Sequence, residues 1–300
     1  MAYPAVRAVS SGQTTSVTSV SCTHPAGLTA GDLMVLFVGT YTSGNDRTIS
    51  TPSGWTSQEF VTSYNDFRRN LIAFKKVATG GDVSAGSTTV SFSGTVEHTA
   101  FGCYAITGAA SGSEITLSDS DYREGTSLST TVSFTTAITP IVTESLVIIS
   151  FYNFVYDPGG IVTGSSYTST PSSSFTERVD IGDFVAGSRS RSLQSATSEY
   201  SGLTQVTAFG FTQSAGGSLN QDTNGIILLI NAPQNQTADV SRIELTPTLY
   251  GVTGSNTATA DVSHIELEPE LHSITAKSSS QGTQLVNETK PTTSWTNDTI

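Results

Sequence analysis

Acid–base, nucleophilic or metal chemistry in this chain would have to be built from four histidines and two cysteines. A hydrolase triad needs a nucleophile, a base and a group that orients the base. His24, His98, His264 and His272 lie apart from one another in strand-like or repeat contexts, and no Gly-x-Ser-x-Gly turn accompanies them. Structural zinc sites use two close pairs of Cys or His ligands, whereas Cys22 and Cys103 stand 81 residues apart, each in a strand-like segment that suits a buried thiol. Asp119, Asp121 and Glu124 gather three carboxylates in a stretch that reads as a loop. They lack the glycine and the twelve-residue spacing of a calcium loop and read as a solvated acidic turn. Phosphate-binding glycine motifs are missing. The expectation is a chain with no catalytic residue, no cofactor and no metal. One other surface chemistry is on offer: Trp55, Tyr64 and Tyr156 fall in loop-like segments and could stack on a sugar ring. For Trp55 the turn Thr51-Pro52-Ser53-Gly54-Trp55-Thr56 would fold the indole back onto the body.

The elements that would have to hold such side chains are strands. Residues 33–38, 146–151 and 226–230 are short, continuous apolar runs bracketed by Gly, Asp, Asn or Ser, the pattern of strands buried on both faces. Between them, residues 71–77, 88–92, 100–106, 130–134 and 206–211 are read as alternating segments, strands with one wet face. Only 13% of residues are charged, about half the usual share of ~25%, and Ser, Thr and Gly take the space, a mix that favours strands and turns. The fold class expected is all-β: a jelly-roll-like β-sandwich body over residues 1–234 followed by a short β-repeat tail over residues 235–300.

The body is written twice. Gly31-Asp32-Leu33-Met34-Val35-Leu36-Phe37-Val38, Thr51-Pro52-Ser53 and Ala100-Phe101-Gly102 return as Glu144-Ser145-Leu146-Val147-Ile148-Ile149-Ser150-Phe151, Thr170-Pro171-Ser172 and Ala208-Phe209-Gly210, at offsets of 113, 119 and 108. The pseudo-repeats run over about 1–110 and 111–232. The tail repeats at a finer scale: units at 237–258 and 259–280 are identical at half of their 22 positions. In each unit Ile243, Leu245 and Leu249, or Ile265, Leu267 and Leu271, share one face of an extended strand. Two such units bury that face only against a neighbour, so these six residues, with Trp295 as an aromatic anchor, are the candidate assembly contacts.

Net charge of −12 opposes a phosphate-backbone partner, since nucleic-acid affinity rests on Lys and Arg. The pairs Arg68-Arg69, Lys75-Lys76 and Arg189 with Arg191 read as solvated strand edges. No apolar run approaches the ~20 residues of a membrane span, and the first residues carry no signal-peptide core. Membrane insertion and export by a signal are therefore not expected.

The order Pro25-Ala26-Gly27-Leu28-Thr29-Ala30-Gly31-Asp32-Leu33-Met34-Val35-Leu36-Phe37, Thr51-Pro52-Ser53-Gly54-Trp55-Thr56, Leu71-Ile72-Ala73-Phe74-Lys75-Lys76-Val77-Ala78 and Ala100-Phe101-Gly102-Cys103-Tyr104-Ala105 resembles β-sandwich modules in virion structural proteins of tailed bacteriophages and related bacterial surface proteins. The phrase from Asn287 to Asn297 is similar to the Thr/Asn/Trp units of phage appendage proteins. The second half departs from the pattern at Ser173-Ser174-Phe175. The resemblance implies a non-enzymatic head-decoration, fibre or tail-fibre subunit, made in the host cytoplasm and carried in the virion. Its partners would be other virion proteins and copies of itself, as a homo-oligomer. The alternative is a carbohydrate-binding adhesin or receptor-binding module, with a host surface glycan on Trp55, Tyr64 and Tyr156.

Overall fold

The computed structural model describes residues 3–233 apart from 45–46, 65–67, 110–114, 126–130, 141, 157–160, 186–188 and 215–218. The chain divides into two units, Met1–Gln234 and Asn235–Ile300, and the described residues belong to the first. They are all-β. The first half contains β1 (Ala5–Thr23), β2 (Leu33–Thr42), β3 (Thr56–Tyr64), β4 (Arg68–Val77), the short helix α1 (Gly80–Ala85) and β5 (Ser87–Thr107). The second contains β6 (Ile115–Gly125), β7 (Thr131–Ile138), β8 (Ser145–Tyr156), β9 (Gly164–Thr170), β10 (Thr176–Val185), β11 (Arg189–Tyr200), β12 (Val206–Gln213) and β13 (Leu219–Asn231).

Antiparallel pairing builds one five-stranded sheet in each half, β1-β5-β2-β4-β3 and β6-β13-β8-β11-β10, and a three-stranded sheet β7-β12-β9 in the second. The two large sheets have the same strand order once β6, β8, β10, β11 and β13 are put for β1, β2, β3, β4 and β5. Register agrees as well. Leu33 pairs with Val77 and Ile106, and Leu146 pairs with Glu199 and Ile230. Even a β-bulge recurs: β3 slips between Ser57 and Glu59 against β4, and β10 slips between Glu177 and Val179 against β11.

The large sheets pack face to face, which explains the continuous apolar runs. All ten residues of β2 are buried. Leu33, Val35 and Phe37 point at the opposing sheet, where Leu146 and Ile148 of β8 and Ile226, Leu228 and Ile230 of β13 meet them. Met34, Leu36 and Val38 point the other way, beneath Val20, Cys22, Val90 and Phe92. In β8 the outward set is Val147, Ile149 and Phe151, beneath Phe134, Phe209 and Phe211. The central strands therefore separate three cores, and each such side chain contributes roughly 1.5–3 kcal/mol on burial.

β1 lies on β10, β3 on β6, β5 on β11 and β4 on β13, with β2 on β8 in the middle. This exchange of partners is a two-fold relation, the isologous geometry of symmetric dimers, here within one chain. Near its centre the equivalent positions Gly39 and Tyr152 meet, and a Cβ on Gly39 would overlap the Tyr152 ring. Two bulky residues cannot share that spot, and one half has resolved the conflict with glycine.

Three sequence expectations need correction. Residues 71–74 and 100–105 do not keep the wet face expected of them, because β4 and β5 are interior strands covered on both sides. Ala100-Phe101-Gly102 sits in β5 beside β2, whereas Ala208-Phe209-Gly210 sits in β12 between β7 and β9. The structural equivalent of that part of β5 is β13, so the offset of 108 joins positions that do not correspond. Both glycines are close-packed, but against different neighbours: a Cβ on Gly102 would meet Val179 of the other half, and one on Gly210 the Val132 carbonyl of its own sheet. The acidic stretch around Asp119 is not a loop but part of β6, an edge strand paired with β13 from Ile115 to Gly125. Pairing there overrides the low strand preference of Asp and Ser.

Candidate functional site

The densest polar cluster among the described residues lies between the two large sheets. It sits at the end where β2 and β8 finish and β4, β11 and β13 begin. Arg69 at the start of β4 is 1% exposed, and its guanidinium lies 2.5 Å from the Asp222 carboxylate of β13. The same guanidinium stands 4.5 Å over the Phe154 ring, which stacks at 4.8 Å on Tyr41. Arg189 and Arg191 of β11 lie 5.1 and 5.3 Å over the other side of this aromatic pair, and Arg189 donates to the Tyr41 hydroxyl. Arg191 grips Asp183 of β10 with two hydrogen bonds. Toward solvent, Arg189 stands 3.7 Å from Glu97. Desolvated charges survive only when paired, and here cation is matched to anion and cushioned by aromatic faces.

His98 belongs to this layer. It is fully buried, its Nδ1 lies 2.7 Å from the Tyr152 hydroxyl, and its Nε2 lies 3.7 Å from Asp183. Burial drives its pKa down from 6.5 to about 4, with Asp183 opposing the shift and Arg191 adding to it. At neutral pH the imidazole is uncharged, and it bridges the halves. His24 is also tied down: one ring nitrogen lies 2.9 Å from the Asp82 carbonyl and the other 2.8 Å from Thr88 Oγ1. Cys22 and Cys103 are free and buried, and desolvation pushes the Cys22 thiol up to about 12 and the Cys103 thiol higher still. Neither thiol is available as a thiolate nucleophile.

Trp55 is not brought together with Tyr64 or Tyr156. Trp55 is 7% exposed and packs in the first half's outer core, because Gly54 at φ +76° and the bond from Trp55 N to the Pro52 carbonyl fold the turn inward. A sugar ring has no indole face to stack on there. Tyr64 closes β3 at the other end of the strand, about 30 Å away at ~3.3 Å per residue. Tyr156 closes β8, paired with Arg189, at the charged end of the body. The side chains of Tyr64 and Tyr156 lie outside the described residues, as do Ile243, Leu245, Leu249, Ile265, Leu267, Leu271 and Trp295. Beside the Trp55 turn is a hollow of about 190 Å³ lined by Leu33, Gly54, Thr56, Lys75, Lys76 and Val77.

Reading the basic pairs as solvated edges fails for Arg69 and Arg191, which are buried ion-pair partners. One signal was available: Asp183 and Arg191 are eight residues apart across a hairpin and fall directly opposite one another. Arg69 and Asp222 carry no such local signal, since only the packing of the two halves joins them. Comparison of the chain with protein-family models, curated proteins and solved structures gives no match.

Proposed function

We propose that the chain is a non-enzymatic virion structural protein of a tailed phage, a head-decoration, fibre or tail-fibre subunit that acts through protein–protein assembly. The observation that carries this reading is the doubled body itself: the three apolar runs and the buried Arg69–Asp222 pair hold one half against the other. The edges support it. The pairings that involve the edge strands β1, β3, β6 and β10 each contain a register shift, and bulged edges resist adventitious strand addition. Lateral polymerisation of the body is thereby discouraged, which leaves contacts to other parts of the chain. The reading assigns them to the repeat tail, through Ile243, Leu245, Leu249, Ile265, Leu267, Leu271 and Trp295. A jelly-roll derivative is the architecture we propose for each half, and the first and last strands lying side by side in each large sheet support it.

Light scattering on the full chain and on residues 1–234 tests the assembly role. The full chain is expected to form a defined oligomer and the shorter chain a folded monomer. Replacing Ile265 and Leu267 together by Asp should abolish oligomerisation and incorporation into particles; assembly at the parental level would overturn the assignment.

A further inference from the structure

The two halves differ in character where β9 is added over the second. In the first half β3 and β4 set Phe60 opposite Ile72, and in the second β10 and β11 set Asp180 opposite Gln194 at the equivalent register. The equivalent bulges place Ser57 in one half and Glu177 in the other on the same face as that pair, three residues before it. In the second half this pair meets the chain leading into β9, which the first half lacks, and Asp180 and Gln194 each bond its backbone, at Gly164 and Val162; those bonds leave other polar atoms beside them over.

Around Asp180 the polar atoms converge. The Gly164 amide at the start of β9 donates to Asp180 Oδ2 at 3.3 Å. A Cβ on Gly164 would lie 2.8 Å from the Tyr167 hydroxyl and 3.1 Å from Gln194 Oε1, so only glycine leaves the space these atoms face. Gln194 is 0% exposed and Tyr167 8%, and neither Gln194 Oε1 nor the Tyr167 hydroxyl has a hydrogen-bond partner. The orientation of the Gln194 amide is fixed, because its Nε2 donates to the Val162 carbonyl at 3.1 Å and to Ser192 Oγ at 3.2 Å. Buried polar atoms of this kind are seldom left unpaired.

We propose that the seam between β9 and β10 binds a divalent cation, calcium by its ligand chemistry, through Asp180, Glu177, Gln194 Oε1 and the Tyr167 hydroxyl. Every group offered is an oxygen, two are carboxylates and two are neutral, a set that suits a hard cation tolerant of irregular geometry. The carboxylates press on each other in the cation's absence: burial first and then Glu177 raise the Asp180 pKa to about 6, against hydrogen bonds from the Gly164 amide and the Gln194 side chain that lower it. Arg178, the nearest cation on β10, is turned to Thr197 Oγ1 at 2.9 Å. A sugar fits less well, since the Tyr167 ring packs against Phe151 and Phe211 and offers no free face.

Terbium luminescence sensitised by tyrosine, measured on the full chain and competed with Ca²⁺ or Mg²⁺, tests the site. With only two carboxylates, Ca²⁺ should displace terbium with a dissociation constant on the order of 10⁻⁴–10⁻³ M and Mg²⁺ more weakly. The melting temperature should rise by about 3 °C or more at tenfold excess over that constant. Asp180→Asn should weaken Ca²⁺ binding at least tenfold. The pair Asp180→Phe with Gln194→Ile, which imports the first half's residues, should fold and lose the response altogether. Asp121→Asn, on β6, should leave it intact. Equal responses in wild type and the pair variant, an equal loss in Asp121→Asn, or a saccharide whose binding depends on Asp180 without any calcium response would each overturn the proposal.

Discussion

The two halves share strand order, register and a bulge, yet they are closed in different ways. In the first half β1 and β5 run on for 19 and 21 residues and fold over their own sheet. In the second the corresponding strands are cut into β6 with β7 and β12 with β13, and the cover becomes a separate sheet with β9 added. Where β9 lies in the second half, the first has a single bridge, Ile49 to Phe92. The outer cores differ accordingly: Met34, Leu36, Trp55 and Cys103 in one, and the packed rings of Phe134, Phe151, Phe209 and Phe211 in the other. The first half also locks its end with two Thr-x-x-Asp turns. Asp32 accepts from Thr29 and Arg7, and Asp82 caps α1 through Thr79 and takes Lys76 at 2.5 Å. At the position equivalent to Asp32 the second half has Ser145, hydrogen-bonded to Asn231 at 3.2 Å. The topology is held by the central strands that meet at the pseudo-axis, and the periphery is free to diverge.

Removing the charge that joins the halves should do most damage. Asp222→Ala leaves Arg69 buried without its counter-charge and is expected to cost about 3–5 kcal/mol in urea unfolding. Arg69→Met combined with Asp222→Leu should recover most of that loss.

The difference between the outer cores sharpens with a matched pair. Phe151 lies 4.5 Å from Phe211 and 5.7 Å from Phe209, so Phe151→Ala should cost about 3–5 kcal/mol. Leu36→Ala in the first half should fall toward the lower part of the ~2–5 kcal/mol range, since it removes a smaller side chain than a phenylalanine and the flexible Met34 of the same core can relax toward the gap.

Acid should separate the interface from the first half's end. His98 has a folded pKa of about 4 against 6.5 unfolded, so the unfolded chain takes up the proton first. Its contribution is complete above pH 6.5 and is lost as pH falls toward 4, by up to about 3 kcal/mol. Asp82 is depressed from 3.8 to about 2: burial raises its pKa and is outweighed by Lys76 and Thr79. Its contribution persists above 3.8 and fades only below that. Asp180, raised to about 6, works in the opposite sense over the same range, so the His98 contribution is read as a difference: wild type should lose stability relative to His98→Gln as pH falls from 7 to 4.

At the pseudo-axis, Gly39→Ala should cost about 1–3 kcal/mol through overlap with Tyr152, visible as a lower melting temperature. The smallest effect expected is Thr79→Ala, about 1 kcal/mol, from loss of the α1 capping box.

The central strands were legible because burial on both faces leaves unbroken apolar runs, and residues 33–38, 146–151 and 226–230 fall in β2, β8 and β13. The offsets of 113 and 119 fall on equivalent positions of β2 with β8 and of the turns before β3 and β10. A three-residue phrase such as Ala-Phe-Gly was too short to carry register, and it joined β5 to β12. Charge misled twice. Asp119 and Asp121 suggested a loop where an edge strand tolerates them, and Arg69 suggested solvent because its partner Asp222 is adjacent only after two sheets have packed. The Asp180 cluster was illegible for the same reason, since Tyr167, Gln194 and Gly164 converge from β9 and β11. Trp55 was readable as an inward-folded residue from its Pro-Ser-Gly turn, and its separation from Tyr64 followed only once the two were placed at opposite ends of β3.

The claim that the body is one unit made of two equivalent five-stranded sheets packed together is tested most directly by native-state amide hydrogen exchange across β2 and β8. If the halves stand and fall together, the slowest amides of Val35 to Val38 and of Ile148 to Phe151 will open with the same free energy, equal to that of global unfolding. A second half that opens well below the first, with β2 still protected, would contradict it.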